Sequence, residues 1–220
     1  MKHVQRTLVL PFLVFGLVSL VLPGWGQESI PRARLPVLTT SAGQSADVNT
    51  LNVIMDQAGV KYDYCDVPTA AMVKSGVGLG GAKARAGFHV EVTTDVSRFK
   101  PGTPYQTVVF AVGASLKGMG ASGLTVDAEV KRVTEIIQYC RQNKIMVIAV
   151  HPGGQSKRGA PGSDNERMID AVMPFADYII AAKDGNKDGR FTKIAKEKSI
   201  PFSQVDYALG IVGLMKKAFE

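Results

Sequence analysis

Two serines and one histidine stand where a hydrolase could place its reacting groups. Ser41, Ser115 and His151 each follow or end an apolar run of the chain. A serine hydroxyl becomes a nucleophile when a neighbouring base removes its proton. Neither serine has glycine on both sides in the G-x-S-x-G pattern of a nucleophile elbow, since Thr39 and Lys117 take the flanking places. The pattern allows a hydrolase using Ser41 or Ser115 with His151, with capping of the next helix as the alternative role of each serine.

A glycine-rich turn beside a lysine offers a second kind of chemistry, the binding of an anion. The turn from Gly113 to Gly118 begins like a Walker A loop, but Met119 and Gly120 stand where that loop requires lysine and a hydroxyl residue. Its backbone N–H groups and Lys117 could still hold an anion, or its glycines could serve backbone geometry alone. Two G-x-G-x-x-G stretches lack the strand and the acidic residue that dinucleotide binding needs, so we expect no nucleotide cofactor.

The stretch from Asp184 to Gly189 fits the first half of a calcium loop, D-x-N-x-D-G. The twelfth position of that loop is Ala195 instead of a bidentate acid, and Lys187 adds positive charge. A tight turn before the next helix is the stronger interpretation. His151 has no partner at the spacing of zinc ligands, so we expect no metal site.

Strands that alternate with helices must position these loops. The apolar runs predict strands at 35–40, 60–64, 107–112, 145–150 and 178–182, with a possible edge strand at 202–205. Helical spacing of apolar residues predicts helices at 47–58, 127–142, 165–174, 191–198 and 208–219. This order indicates βαβ units with right-handed crossovers. We predict a three-layer α/β fold with a mostly parallel sheet of about five strands, flavodoxin-like or Rossmann-like.

An insert at 67–105 interrupts this alternation. It contains the glycine-rich segment Gly76 to Gly81 and an alternating segment, Phe88 to Val92, typical of an exposed strand or hairpin arm. Long connections in compact domains are usually functional. We expect a hairpin-containing insert within one domain at 27–220, acting as a lid over a crevice or forming an edge hairpin.

The N-terminus predicts export. Lys2, His3 and Arg6 precede the apolar run Thr7 to Leu22, and small residues up to Gly26 provide a cleavage site. This run is shorter than the roughly 20 apolar residues of a membrane span. We expect a signal peptide at 1–26 and a secreted or periplasmic protein with no stable membrane insertion.

The charge pattern of the chain narrows its possible binding partners. The formal net charge of +7 becomes +5 without Lys2 and Arg6, and the basic residues do not alternate with aromatic ones, so we expect no nucleic acid partner.

Cys65 ends a predicted strand and Cys140 closes a predicted helix, which places them at opposite edges of the sheet. Because bridged Cα atoms lie within roughly 7 Å, we expect two buried or half-buried free thiols.

Four segments together resemble one uncharacterised family of exported bacterial α/β proteins, classed as a domain of unknown function. They are LPVLTTSAGQ ending at Gln44, GASLKGMGASG ending at Gly123, VHPGG ending at Gly154 and GNKDGRFT ending at Thr192. The S-x-K-G-x-G-A-x-G loop is the most specific of them. The resemblance covers nearly all of the mature chain and implies export and a loop-lined crevice, but it transfers no reaction and no catalytic residue.

In a parallel sheet the loops that follow the strands meet at the carboxyl edge, where such folds bind their ligands. We therefore expect a polar crevice for an anionic or carboxylate small molecule, without a cofactor. Its predicted lining is Ser41, Gly43, Gln44, Ser115, Lys117, Gly118, His151 and Lys157. The alternatives are the serine hydrolase and an envelope protein whose exposed strand pairs with a protein partner.

Overall fold

The computed structural model describes residues 29–220, so the predicted signal peptide at 1–26 lies outside the described residues. Seven strands form one sheet in the order β3-β2-β1-β4-β5-β6-β7. Their bounds are β1 (Val37–Ala42), β2 (Asp63–Cys65), β3 (Val90–Val92), β4 (Thr107–Val112), β5 (Met146–His151), β6 (Tyr178–Ala182) and β7 (Phe202–Val205). All neighbouring strands are parallel except the antiparallel pair β2 and β3.

Helices cover both faces of the sheet. Their bounds are α1 (Asp47–Gln57), α2 (Ala70–Lys74), α3 (Leu116–Ala121), α4 (Val126–Gln142), α5 (Asp164–Val172), α6 (Arg190–Lys198) and α7 (Ile211–Phe219). Helices α1 and α7 share one apolar cluster, whereas the other five pack into a second cluster. Successive strand residues alternate between the two clusters, as Val108 and Val109 do, because side chains of a strand point to opposite faces.

The predicted three-layer α/β fold is confirmed. Without β3, the order β2-β1-β4-β5-β6-β7 is that of a flavodoxin-like sheet, in which the winding reverses between β1 and β4. The sheet has seven strands instead of about five, because both 90–92 and 202–205 join its edges. Such folds bind ligands where the winding reverses, at the carboxyl ends of the strands.

The insert at 67–105 is fastened to the edge of the sheet. Its strand β3 pairs with β2, and its Tyr105 hydroxyl donates a hydrogen bond to the buried carboxylate of Asp63 at 2.5 Å. The backbone N–H of Gly78 donates to the same carboxylate at 2.7 Å. A side chain at Gly87 would collide with the carbonyl oxygen of Ala121 in α3. The insert therefore packs against the edge of the sheet and beside α3.

Two observations concern the described residues as a whole. Cys65 and Cys140 are buried free thiols, as predicted, and burial raises the pKa of each to about 12. Between residues 29 and 220, no helix has both the length and the apolar character needed to cross a membrane.

Candidate functional site

A pocket of about 400 Å³ opens at the carboxyl edge of the sheet. It lies between the start of α1, the end of β2, the insert and α3. Its polar side chains belong to Gln44, Ser45, Asn49, Tyr64, Asp66, His89 and Ser122. Of the residues predicted to line a crevice, Gln44 and Gly118 belong to this pocket.

A histidine–aspartate pair forms one wall of the pocket. The backbone N–H of His89 donates to Oδ1 of Asp66 at 2.9 Å, and ring atom Nδ1 lies 2.8 Å from Oδ2. Because an ionised carboxylate can only accept, the proton of the neutral ring lies on Nδ1, which leaves a lone pair on Nε2. That atom has no hydrogen-bond partner in the described part of the chain. The His89 side chain is 70% exposed, whereas that of Asp66 is 9% exposed.

A backbone donor lies at the opposite wall, where α1 begins. The antiparallel bridge between Gln44 and Ala114 turns the N–H of Ser45 toward the carbonyl oxygen of Gly113, whereas the N–H of Ala46 donates no hydrogen bond within residues 29–220. Unpaired N–H groups at the start of a helix carry partial positive charge. Asp47 adds a carboxylate to this first turn, but it lies against Gly113 and Gly153 and does not line the pocket.

The loop that carries Gln44 is held by buried polar contacts. Gln44 has a φ of 55°, and its side-chain amide donates to the carbonyl oxygen of Asp66 at 2.8 Å and to Glu129 at 3.1 Å. The neighbouring Gly43 has a φ of 104°, and a side chain there would collide with the carbonyl oxygen of Gly113. Both residues therefore shape the loop, and the amide donors of Gln44 are already engaged.

The two candidate nucleophiles do not face this pocket. Ser41 is buried in β1, and its hydroxyl has no hydrogen-bond partner in the described region. The Ser115 hydroxyl accepts a hydrogen bond from the backbone N–H of Gly118 at 3.1 Å and caps α3. Helix capping is the alternative role that the sequence analysis gives for this serine. Lys117, on the exposed side of the same helix, also lies outside the pocket lining.

His151, the predicted base of a serine hydrolase, is fully buried. Its Nδ1 lies 2.9 Å from the carbonyl oxygen of Val112, and its Nε2 lies 3.1 Å from that of Gly154. Burial lowers its pKa, so the ring is neutral and its single proton can serve only one of these carbonyls. Neither nitrogen bonds to a serine hydroxyl. Lys157 is likewise engaged, since its ammonium donates to the carbonyl oxygen of Ala114 at 3.2 Å.

The loop from Asp184 to Gly189 forms a tight turn before α6. Asp184 accepts from the backbone N–H of Gln155 at 3.3 Å, and Asp188 pairs with Arg158 at 2.7 Å. Hydrogen bonds from Arg158 lower the pKa of Asp188 to about 2. Across residues 29–220, no group of three or more acidic, histidine or cysteine side chains could hold a metal ion.

Sequence reasoning missed the pair of Asp66 and His89. Asp66 directly follows β2, so its place at the carboxyl edge was already implied by the predicted strand at 60–64. Antiparallel pairing of Cys65 with Val90 then brings His89 beside Asp66. The alternating pattern of Phe88 to Val92 indicates a strand, but it does not show which strand becomes its neighbour.

The fold and the pocket define a flavodoxin-like α/β protein with a histidine–aspartate pair at the carboxyl edge of its sheet. Residues 34–219 match the model of a family described as a domain of unknown function, DUF6305, and the chain belongs to this family. The predicted membership of an uncharacterised family is confirmed.

Two solved structures show a distant likeness. One is a GDSL-like lipase from Bacteroides thetaiotaomicron, with 13% sequence identity and a TM-score of 0.33. The other is a proposed acylhydrolase from Bacteroides fragilis, with 14% identity and a TM-score of 0.32. Each alignment covers 80% of this chain and 71% of the other chain. No curated protein matches the chain. A likeness at this level carries no argument about function.

Proposed function

We propose that the protein is an exported binding module for a small molecule with an anionic group, such as a carboxylate. The ligand binds in the pocket between α1 and the insert. The leader at 1–26, with its basic start and apolar run, supports export. The pocket's volume of about 400 Å³ is within the range of small-molecule sites.

The observation that carries this proposal is a set of unpaired polar atoms on two walls of one pocket. Nε2 of His89 belongs to the insert side, and the N–H group of Ala46 belongs to the start of α1. A carboxylate accepts hydrogen bonds from backbone N–H groups and from a protonated imidazole. Asp66 stabilises the imidazolium that forms when the anion binds, as a carboxylate does for a histidine it orients.

The groups that we propose attract the anion differ from those that the sequence suggests. Lys117 and Lys157 were expected to draw an anion into the crevice, but neither lines the pocket. The proposal assigns the attraction instead to the first turn of α1 and to the imidazole of His89 in its protonated form. The partner-strand alternative has less support, because β3 is an edge strand of only three residues and offers few backbone groups for pairing.

A thermal-shift screen tests the proposal with acetate, succinate, citrate and benzoate, each beside its neutral amide. We expect at least one carboxylate to raise the melting temperature, since binding stabilises by about 2.7 kcal/mol at a ligand concentration of 100 Kd. His89→Gln should lose the shift, whereas Lys131→Gln, an exposed change on α4, should keep it. The same shift in His89→Gln, or none in the wild type with any carboxylate, would contradict this site. Loss of the shift in Lys117→Gln would favour the sequence-predicted loops.

A further inference from the structure

We infer that the Asp66–His89 pair makes this pocket hydrolytic, with His89 as the general base that activates water against an ester of a small carboxylic acid. The inference rests on the proposed function, because the acid released by the reaction belongs to the ligand class that the pocket binds. It differs from the serine hydrolase considered above in both the base and the nucleophile.

The geometry fixes the orientation of the ring and its tautomer. Asp66 accepts from both the backbone N–H and the ring Nδ1 of His89, at 2.9 and 2.8 Å. The backbone N–H of Asp66 in turn donates to the carbonyl oxygen of His89 at 3.2 Å. The contact at Nδ1 orients the imidazole, the two backbone contacts hold His89 beside Asp66, and Nε2 has no hydrogen-bond partner in the described region. A general base needs such an atom within hydrogen-bond reach of the proton it removes.

The comparison with His151 shows why only one of the two described histidines can act in this way. His151 has no exposed surface, and both of its nitrogens face backbone carbonyls. His89 has one nitrogen oriented by a carboxylate and the other unpaired. An imidazole held by a carboxylate on one side and open on the other is the arrangement that enzymes use for proton transfer.

The reaction balances without a cofactor. The oxygen of a water molecule attacks the ester carbonyl carbon while a proton of that water moves to Nε2 of His89. The ester C–O bond then breaks, and Nε2 returns the proton to the departing alkoxide, which leaves as an alcohol beside the carboxylic acid. Asp66 is a positioning residue that holds Nδ1 and stabilises the imidazolium. The unpaired N–H group of Ala46 is the donor for the negative charge that develops on the carbonyl oxygen.

Hydrolysis of p-nitrophenyl acetate by the purified protein tests the inference. We expect His89→Gln to lower kcat at least about 100-fold, the lower bound of what a positioned base contributes. Asp66→Asn should lower kcat with KM little changed, and Asp127→Asn, which removes an exposed carboxylate outside the pocket, should behave as the wild type. Folding of each variant is checked by its melting temperature. Equal rates for wild type and His89→Gln would overturn the inference.

Two further measurements separate the possible outcomes. Proton removal from water predicts a normal solvent deuterium isotope effect on kcat, whereas an effect near unity, or a burst of p-nitrophenolate, indicates covalent attack and overturns the water mechanism. The acetate thermal shift is measured on the same samples. If acetate binds and the ester is not cleaved, only the hydrolytic inference fails. If cleavage depends on His89 and no carboxylate binds, only the binding proposal fails.

Discussion

The carboxylate of Glu129 accepts a hydrogen bond from the backbone N–H of Gly43 at 2.8 Å, although the two residues lie 86 positions apart. The same carboxylate pairs with Arg132 at 2.7 Å, and neither side chain is more than 8% exposed. Arg132 also donates to the carbonyl oxygens of Ser41 and Pro68. This buried pair fastens the loop after β1 and the start of the insert to α4, and so it fixes two walls of the pocket.

We expect Glu129→Ala to destabilise the protein by about 3–5 kcal/mol, because it leaves the guanidinium of Arg132 buried without its partner. Chemical denaturation measures the free energy of unfolding. The matched control is Glu135→Ala on the same helix, where the pair with Lys131 is exposed and is worth less than about 1 kcal/mol. Similar decreases in the free energy of unfolding of the two variants would contradict the larger contribution expected of the buried pair.

Two glycines of α3 give a second matched pair. A Cβ at Gly118 would lie 2.0 Å from the carbonyl oxygen of Gln44, whereas a Cβ at Gly120 meets nothing within 4 Å. We expect Gly118→Ala to cost about 1–3 kcal/mol and to weaken carboxylate binding, since α3 must move away from the pocket loop. Gly120→Ala should be neutral or add up to about 1 kcal/mol, because alanine favours a helix. Equal melting temperatures for the two variants would contradict the close approach of Gly118 to the carbonyl oxygen of Gln44.

The stability of the protein should fall below about pH 6.5, in part through His151. Burial lowers the pKa of this imidazole in the folded state. As the pH drops through the usual histidine range, the unfolded chain takes up a proton that the folded chain resists, so the free energy of unfolding decreases. The check is denaturation at pH 7 and at pH 5 for the wild type and for His151→Gln. The variant should show a smaller difference between the two values; an unchanged difference would exclude a contribution from His151.

Calcium should leave the melting temperature unchanged, and so should removal of divalent ions with a chelator. In the loop from Asp184 to Gly189, one carboxylate accepts from Gln155 and the other pairs with Arg158, which removes the ligands that a calcium ion would need. Melting curves with calcium chloride and with chelator measure this directly. Stabilisation by calcium that disappears in Asp184→Asn would revive the calcium-loop interpretation.

The sequence predicts the layered fold well, because its signals are local. The apolar run at 107–112 gives β4 with its observed bounds, and the helical stripe that includes Val133 and Ile136 gives α4. The pairing of β3 with β2 is not local, so the approach of His89 to Asp66 could not be derived from either segment alone.

Only Gln44 and Gly118 of the residues predicted from their position after strands line the pocket, for a physical reason. Several loops meet at the carboxyl edge, and only some of their side chains stay exposed there. His151 is fully buried, whereas His89, in the less regular insert, lines the pocket. Glu129 lies on the buried side of α4 although its charge suggests a solvated position. A sequence pattern does not show which charges are buried as a pair.

The two members of the pocket pair come from parts of the chain with different constraints. Asp66 directly follows β2, a strand inside the sheet, while His89 directly precedes the edge strand β3. A substitution in that outer segment can therefore remove the imidazole without altering the strand order of the sheet.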